Sequence, residues 1–296
     1  MRRTDFSGAD CAMAQALDVV GDWWTLLIVR DVTRGRSRFD TLQAGLGVSR
    51  KVLAERLRWL VDHEVLQREL YHEHPPRYDY RLTTRGRALL PVLVALQDWG
   101  DTWLLGDGAL SATTTPGSAE CHRVHALSGV RLPELLLPAA DGPARDPVAD
   151  TDFTVLTLFP GAGLGIPGWA EIPGAPGCTA SAAAYRALHA EFRALGASVH
   201  GVSTQRPDEL ARFADAEDLP FPLLSDAGLD LVTALRLPTF RAGGADRHKR
   251  LSLLVDRDRV VRSVFYPISD PACSAEQVLS GLTRLYPRPG AALPQP

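Results

Sequence analysis

The stretch 38–68, RFDTLQAGLGVSRKVLAERLRWLVDHEVLQR, constrains this chain more than any other, because its apolar residues recur at helical spacing on both sides of a glycine-bearing break. Phe39 and Leu42 give a first helix its apolar side, Gly45-Leu46-Gly47 ends it, and Ser49 stands where the next helix needs an N-cap. The second helix runs to about His63. Its inward stripe is Leu53, Leu57, Leu60 and Val61, which turns Lys51, Glu55, Arg58 and Trp59 outward and leaves Arg50 free in the first turn. This is a helix-turn-helix pattern. A basic, exposed first turn suits a helix whose N-terminal residues meet base edges in a major groove. On spacing alone, an amphipathic helix pair with a solvated charged face fits as well.

The neighbouring residues favour the first reading. Residues 66–71 and 78–82 alternate like strands, and the intervening 72–77, with Pro75-Pro76, cannot pair, so a hairpin with a stiff tip is predicted. Helix-turn-helix plus hairpin makes an α+β winged unit. Between Arg34 and Arg58 stand Arg34, Arg36, Arg38, Arg50, Lys51, Arg56 and Arg58 against Asp40 and Glu55, an excess of positive charge in a chain of net charge −3. Such a patch is a local electrostatic footprint for a polyanion. The candidate contacts to double-stranded DNA are Arg38, Ser49, Arg50, Lys51, Arg56 and Arg58, with Arg77 on the wing.

At 296 residues, 45% of them hydrophobic, the chain is long enough for two domains with separate cores. No apolar run approaches the roughly 18 residues of a membrane span, and MRRTDFSGADC lacks an apolar signal core, so the expectation is a cytoplasmic protein with no membrane partner. The four cysteines, Cys11, Cys121, Cys178 and Cys273, are too scattered for a disulfide scaffold. They do not form a zinc pattern either, even though His122 and His125 neighbour Cys121. No metal and no cofactor are expected, which leaves thiol chemistry or simple burial.

Residues 11–31 carry two helical patterns interrupted at Gly21-Asp22, the second with Trp24, Leu27 and Ile28 facing a core. After the wing, Thr83 can cap a helix running through Leu89, Leu90, Leu93, Leu96 and Trp99, with an apolar face too wide for solvent. A resemblance now becomes visible. Cys11, ALDVVGDWWTLLIVRD, GRSRFD, VSRKVLAERL, PPRYDYRLTTRGRAL and Gln97-Asp98-Trp99-Gly100 follow one another as in the HxlR-type winged-helix regulators, over residues 8–104. The resemblance implies a homodimer on a palindromic operator, with the wing at the minor groove. It also implies that Cys11 is either a redox sensor, as in some members, or a small apolar residue on a dimer-face helix.

Residues 105–119, including GDGALSATTTPGSA, are rich in Gly, Ser, Thr and Pro without period, which reads as a linker. Beyond it, 152–159 is an apolar strand, 183–195 a helix with Tyr185, Leu188, Phe192 and Leu195 on one face, and 199–203 a strand. Residues 207–216 then read as a helix, and 251–256 with 260–266 as a strand pair. This order predicts an α/β thioredoxin-like fold. The expected domain limits are 1–108, a linker over 109–125, and 126–290.

In the second domain Pro176-Gly177-Cys178-Thr179 is a turn entering a helix, which places Cys178 in a first turn whose free N–H groups and positive end favour the nucleophilic thiolate. This segment resembles the peroxidatic motif of AhpC/TSA-type peroxiredoxins. The resemblance spreads over LFP at 158–160, AAYRALHAEF, GASVHGVS, LPFPLLSD and RLSLLVD, all in the expected order. It implies that Arg250 sits beside the cysteine, supporting the thiolate and polarising a peroxide. Three positions depart from the family pattern. Ala175 stands where a threonine is expected, Glu171 where a proline is, and Ala183 where one subgroup has a resolving cysteine; an insertion, GAGLGIPGWAEIPGAP, also precedes Cys178. Cys273 is expected to open the last helix as an unpaired thiol, able to pair with Cys178 only if the fold brings them together.

The functional expectation is a DNA-binding transcriptional regulator that responds to peroxide or a related electrophile through Cys178 and Arg250, with a thiol reductant as a further partner. The alternatives are a thiol peroxidase with an accessory DNA-binding half, and a regulator carrying a thioredoxin-fold module without redox chemistry.

Overall fold

The computed structural model describes residues 6–106 and 108–286, so the expected domain limits at 1 and 290 lie outside the described residues. The chain divides into two compact units, Met1–Leu93 and Val94–Pro296.

The first unit runs α1 (Ala12–Val20), α2 (Trp23–Thr33), α3 (Phe39–Leu46), α4 (Arg50–Asp62), β1 (Leu66–His72), β2 (Arg77–Leu82) and the single turn α5 (Thr84–Arg87). Asp22 starts α2 by accepting from Trp24 N (3.0 Å) and Thr25 N (3.4 Å). Gly47, at φ 63°, ends α3, and Ser49 Oγ accepts from Val52 N at 3.3 Å to open α4. Leu53, Leu57 and Leu60 then fall inward with Ile28, Val29, Leu42, Val65 and Leu66, all but sealed from solvent. Each such side chain contributes roughly 1.5–3 kcal/mol by leaving water. Beneath them Asp31, fully buried, holds Arg30 at 2.7 Å and Arg36 at 2.8 Å. Strands β1 and β2 pair antiparallel from Leu66↔Leu82 to His72↔Arg77 and form the expected hairpin.

Two expectations in this unit are corrected. Trp59, placed on the outer face by spacing, is half-buried, with its Nε1 donating to Val19 O at 2.9 Å and its ring 3.8 Å from that of His63. A bulky ring at the border of a helical stripe folds back when a carbonyl can take its N–H. Thr83 does cap a helix, accepting from Gly86 N at 3.0 Å, but that helix stops at Arg87 and a second, α6 (Leu90–Trp103), begins. Pro91 has no N–H to continue the ladder and is tolerated only in a first turn.

The second unit contains α7 (Ala119–His125), β3 (Leu137–Ala139), β4 (Gly142–Arg145), β5 (Phe153–Leu158), α8 (Cys178–Ala187), α9 (His189–Ala194) and β6 (Ala197–Ser203). After these come α10 (Pro207–Ala216), β7 (Leu223–Ser225), α11 (Asp230–Leu235), the hairpin β8 (Thr239–Ala242) with β9 (Ala245–His248), β10 (Leu251–Asp256), β11 (Val261–Phe265) and α12 (Ser274–Leu285). One seven-stranded sheet has the order β11-β10-β5-β6-β7-β3-β4, with β5, β6 and β7 parallel and the remaining pairs antiparallel. This is the thioredoxin-like arrangement expected. Tyr185 and Phe192, from the predicted helical face, are fully buried in the core with Val155, Leu210 and Leu254. The predicted helix 183–195 starts earlier, at Cys178, and breaks at Leu188.

The stretch read as a structureless linker also differs. Ser118 Oγ accepts from Cys121 N at 3.1 Å and opens α7, whose Cys121 and Val124, three residues apart, are buried. Short capped helices of this kind leave almost no periodic signal. Among the described residues no single helix is long and apolar enough to cross a membrane.

The C-terminal part of α6 carries a buried carboxylate. Asp98 Oδ1 accepts from Thr239 Oγ1 at 2.5 Å, while its Oδ2 is buried with no partner among the described residues. Burial pushes Asp98 up to about 7, Asp246 and Asp101 add to this, and Thr239 and Lys249 oppose it. Because the folded value lies above the unfolded one, the stability contributed by Asp98 is fully present below about pH 4 and is lost as pH rises through about 7. Asp98→Asn keeps the acceptor for Thr239 and removes the titration. Thermal melts should show this variant more stable than the wild type at pH 8, with the gap closing at pH 5; parallel curves would sink the assignment.

Candidate functional site

The candidate redox site is built where β5 hands over to α8. Gly177 enters the helix at φ 97°, a conformation glycine adopts without strain, and a Cβ there would lie 2.7 Å from Pro271 Cγ. Cys178 is therefore the first residue of α8 and is 7% exposed. Just ahead of β10, Arg250 is buried and donates from Nη2 to Ala175 O (3.3 Å), Pro176 O (2.9 Å) and Cys178 Sγ (3.3 Å). Its Nε and Nη1 are buried without a partner among the described residues. Buried donors are rarely left idle, so the N–H groups of these two nitrogens remain for an acceptor arriving near the sulfur. Cys178 and Arg250, set side by side only by the resemblance, are thus brought together.

The departures from the family pattern have structural counterparts. Ala175 is fully buried and packs with Ala112, Phe240 and Ala242, so that side of the thiol offers no hydroxyl. Glu171 is exposed at the end of a short 3-10 turn. On the core side lies a set of hydroxyls that sequence reasoning missed. Ser181 Oγ and Ser274 Oγ are 2.9 Å apart, as are Tyr185 OH and Ser252 Oγ. Burial pushes Tyr185 up to about 12, which keeps it a neutral hydroxyl. The signal was present in the spacing, since 178, 181 and 185 recur on one helical face. A cavity of about 10 Å³, lined by Cys178, Thr157, Ser181, Tyr185, Phe159 and Phe213 among others, has room for one water-sized molecule.

Of the other thiols, Cys273 is the one whose chain neighbours touch this arrangement, Pro271 lying against Gly177 and Ser274 bonding Ser181. Cys11 is exposed at the N-cap of α1, and Cys121 is buried in α7. Cys273, exposed, has its Sγ 3.2 Å from Asp270 Oδ2; that contact pushes the Cys273 thiol up and the Asp270 carboxyl down. Among the described residues no three His, Cys, Asp or Glu side chains converge on a metal position.

The candidate nucleic-acid face is less uniformly free than its composition suggests. Lys51 and Arg58 on α4 are exposed and make no ion pair among the described residues. Arg50, also exposed, reaches Asp40 at 3.4 Å and lies over the Phe39 ring. Arg38 pairs with Asp79 of the hairpin at 3.1 Å and lies over Tyr71. Arg56, half-buried, is tied to Asp22 at 3.2 Å, and Ser49 serves as the cap of α4. Arg77 is exposed at the start of β2.

A helix-turn-helix with a paired-strand wing, followed by a thioredoxin-like sheet bearing a cysteine at a helix start, defines a regulator-type fold joined to a peroxiredoxin-type one. Residues 19–107 match the HxlR-like helix-turn-helix family model, and residues 171–264 the AhpC/TSA family model. An uncharacterized HTH-type transcriptional regulator of Synechocystis is 38% identical over 33% of this chain and 73% of its own length. A second, of Bacillus subtilis, is 36% identical over 30% of this chain and 84% of its own. A third, of Mycobacterium bovis, is 43% identical over 31% of this chain, which spans 59% of that relative's length. Among solved structures, peroxidoxin BcpB from Mycobacterium tuberculosis is 27% identical over 53% of this chain and 97% of its own, at a TM-score of 0.46. The chain belongs to the HxlR-like helix-turn-helix family and carries an AhpC/TSA domain behind the reader.

Proposed function

We propose that this protein is a homodimeric, cytoplasmic transcriptional regulator that binds double-stranded operator DNA and reports peroxide, or a related electrophile, through Cys178. The observation that carries the reading is the 3.3 Å contact between Arg250 Nη2 and Cys178 Sγ, on a chain that also holds a helix-turn-helix. A guanidinium at this distance donates to the sulfur, and the thiolate is the form that attacks an electrophilic oxygen. Exposed Met13, Leu17 and Trp23 on α1 and α2, with Val92, Leu96, Trp99 and Trp103 on α6, support the homodimer, since apolar side chains of this size gain by pairing. The domains are taken as 1–108 for the reader and 126–290 for the sensor. DNA contacts are assigned to Lys51, Arg58 and Arg77, then to Arg38 and Arg50 on release of their carboxylates, with Ser49 and Arg56 setting the pose of α4.

The test is a fluorescence titration of duplex DNA enriched from a random pool, with reduced and peroxide-treated protein. Equal affinity in both states, with Cys178 shown to be oxidised, would leave a peroxidase with an accessory reader. That second reading is favoured by the two Arg250 nitrogens, Nε and Nη1, that have no partner among the described residues, and it requires peroxide consumption with a thiol reductant. For the reader itself, Lys51→Ala and Arg58→Ala should each weaken binding and reduce the slope of log affinity against log salt by about one unit if they touch phosphate. A slope unchanged in both would remove them from the interface.

A further inference from the structure

The segment after α6 lies directly on the loop that carries Cys178. Ala112 N donates to Pro173 O at 2.8 Å, and the Ala112 methyl is fully buried against Ala175, Phe240 and Ala242. At Gly174 a Cβ would come within 2.7 Å of Thr113 Cβ and 3.1 Å of Thr113 N, so the two backbones touch without slack. Lys249 closes the contact, its Nζ donating to Thr113 O (3.2 Å) and to both carboxylate oxygens of Glu120 (3.0 Å each). The next residue is Arg250. One dipeptide at the head of β10 therefore grips the segment with one side chain and the thiol with the other.

We propose that residues 111–113 form a redox-sensitive strap, closed over loop 173–177 while Cys178 is reduced and released when it is oxidised. The proposal rests on reading Cys178 as the thiol that reacts with a hydroperoxide, and it names how that event reaches the segment next to α6. The Cys178 thiolate attacks one peroxide oxygen; the S–O bond forms, the O–O bond breaks, and the distal oxygen leaves as water or alcohol after taking a proton. Sulfur is oxidised to the sulfenic acid and the peroxide is reduced. The product carries one more oxygen than the thiolate and, as the acid, no charge.

Both changes disturb the strap. The sulfur lies 3.3 Å from Arg250 Nη2 and 3.9 Å from Ala175 O, and the adjoining void of about 10 Å³, lined by Phe159, Phe213, Phe221 and Leu223 together with Thr157, Ser181 and Tyr185, is so small that an added oxygen crowds its walls. Loss of the thiolate weakens the charge-assisted bond from Arg250, which otherwise ties the Ala175 and Pro176 carbonyls to the sulfur. The loop can respond, because Gly174 (φ 81°) and Gly177 (φ 97°) bracket it as hinges. When it moves, Pro173 O and Ala175 move with it, and these are the strap's hydrogen-bond acceptor and its apolar seat.

Hydrogen exchange on the full-length protein reads the strap at the Ala112 amide. Oxidation of Cys178 by hydrogen peroxide should speed exchange at Ala112 at least tenfold, and Cys178→Ser should show no change. Equal protection with Cys178 found oxidised by mass spectrometry overturns the strap and leaves the reading of Cys178 standing. A Cys178 that stays reduced overturns that reading. A second measurement needs no peroxide: coupling between two sites is reciprocal. Lys249→Met should therefore speed both Ala112 exchange and alkylation of Cys178 by iodoacetamide in the reduced protein, the latter about fivefold or more. Should that variant misfold, Ala112→Gly keeps every hydrogen bond and removes only the buried methyl, with the same direction expected. Alkylation unchanged while Ala112 exchange rises breaks the proposed link.

Discussion

Cys178→Ser should bind operator DNA as tightly as the reduced wild type and should not respond to peroxide at all. The substitution keeps the shape of a side chain that is 7% exposed, and a serine oxygen can still accept from Arg250; it shares the loss of charge with the sulfenic acid but adds no oxygen, so nothing crowds loop 173–177 out of place. What disappears is the only chemistry that changes there on oxidation. Couplings between sites on one chain typically amount to about 1–3 kcal/mol, so the wild type should show roughly a 5- to 150-fold shift in affinity, and the variant none. Cys11→Ser is the necessary companion, because Cys11 is exposed at the head of α1 in the reader itself. If Cys11→Ser alone goes blind to peroxide while Cys178→Ser responds normally, the sensor lies in the first unit and the assignment of the second is wrong.

Arg250→Met is expected to slow oxidation of Cys178 by hydrogen peroxide about 100-fold or more, the range seen when one preorganised donor is removed from a site of developing charge. Methionine approximates the buried stem and supplies neither the cation at 3.3 Å from the sulfur nor the two nitrogens, Nε and Nη1, without partners among the described residues. The Ala175 and Pro176 carbonyls also lose their donor, so circular dichroism and melting must accompany the kinetics. Arg250→Lys separates charge from fork geometry, since an ammonium keeps the first and loses the second. A rate within a factor of about three of wild type for Arg250→Met, well short of the loss expected for a preorganised donor, would show that the guanidinium is structural.

The fold was legible wherever one residue type carried a physical necessity. Gly47 and Ser49 mark a helix end and a helix start, Pro75-Pro76 interrupts a hairpin, and 153–158 is apolar at four of six positions and buried at all six because both faces of a central strand are covered. Less could be read where a tertiary partner decides. The burial of Trp59 depends on the carbonyl of Val19, 40 residues earlier in the chain. The pairing of β8 with β9 rests on four residues a side, and α7 on a single cap, too little for any period to emerge. The site shows the same division. Helix-start placement put Cys178 in position and the resemblance supplied Arg250, but the seat of Ala175 includes Ala112, from a stretch whose composition reads as spacer.

The ion pairs within the reader bear on how it would search a genome. A guanidinium already held by a carboxylate, as Arg38 is by Asp79, Arg50 by Asp40 and Arg56 by Asp22, meets a phosphate by exchanging one anion for another. Such an exchange releases little of the cation atmosphere that drives sequence-independent adhesion to DNA. With Lys51 and Arg58 as cations of α4 outside any such pair among the described residues, random duplex should be held loosely at physiological salt. Residence on the wrong sequence is then short, and discrimination falls to the base edges, so a modest number of copies would suffice to find few sites among many.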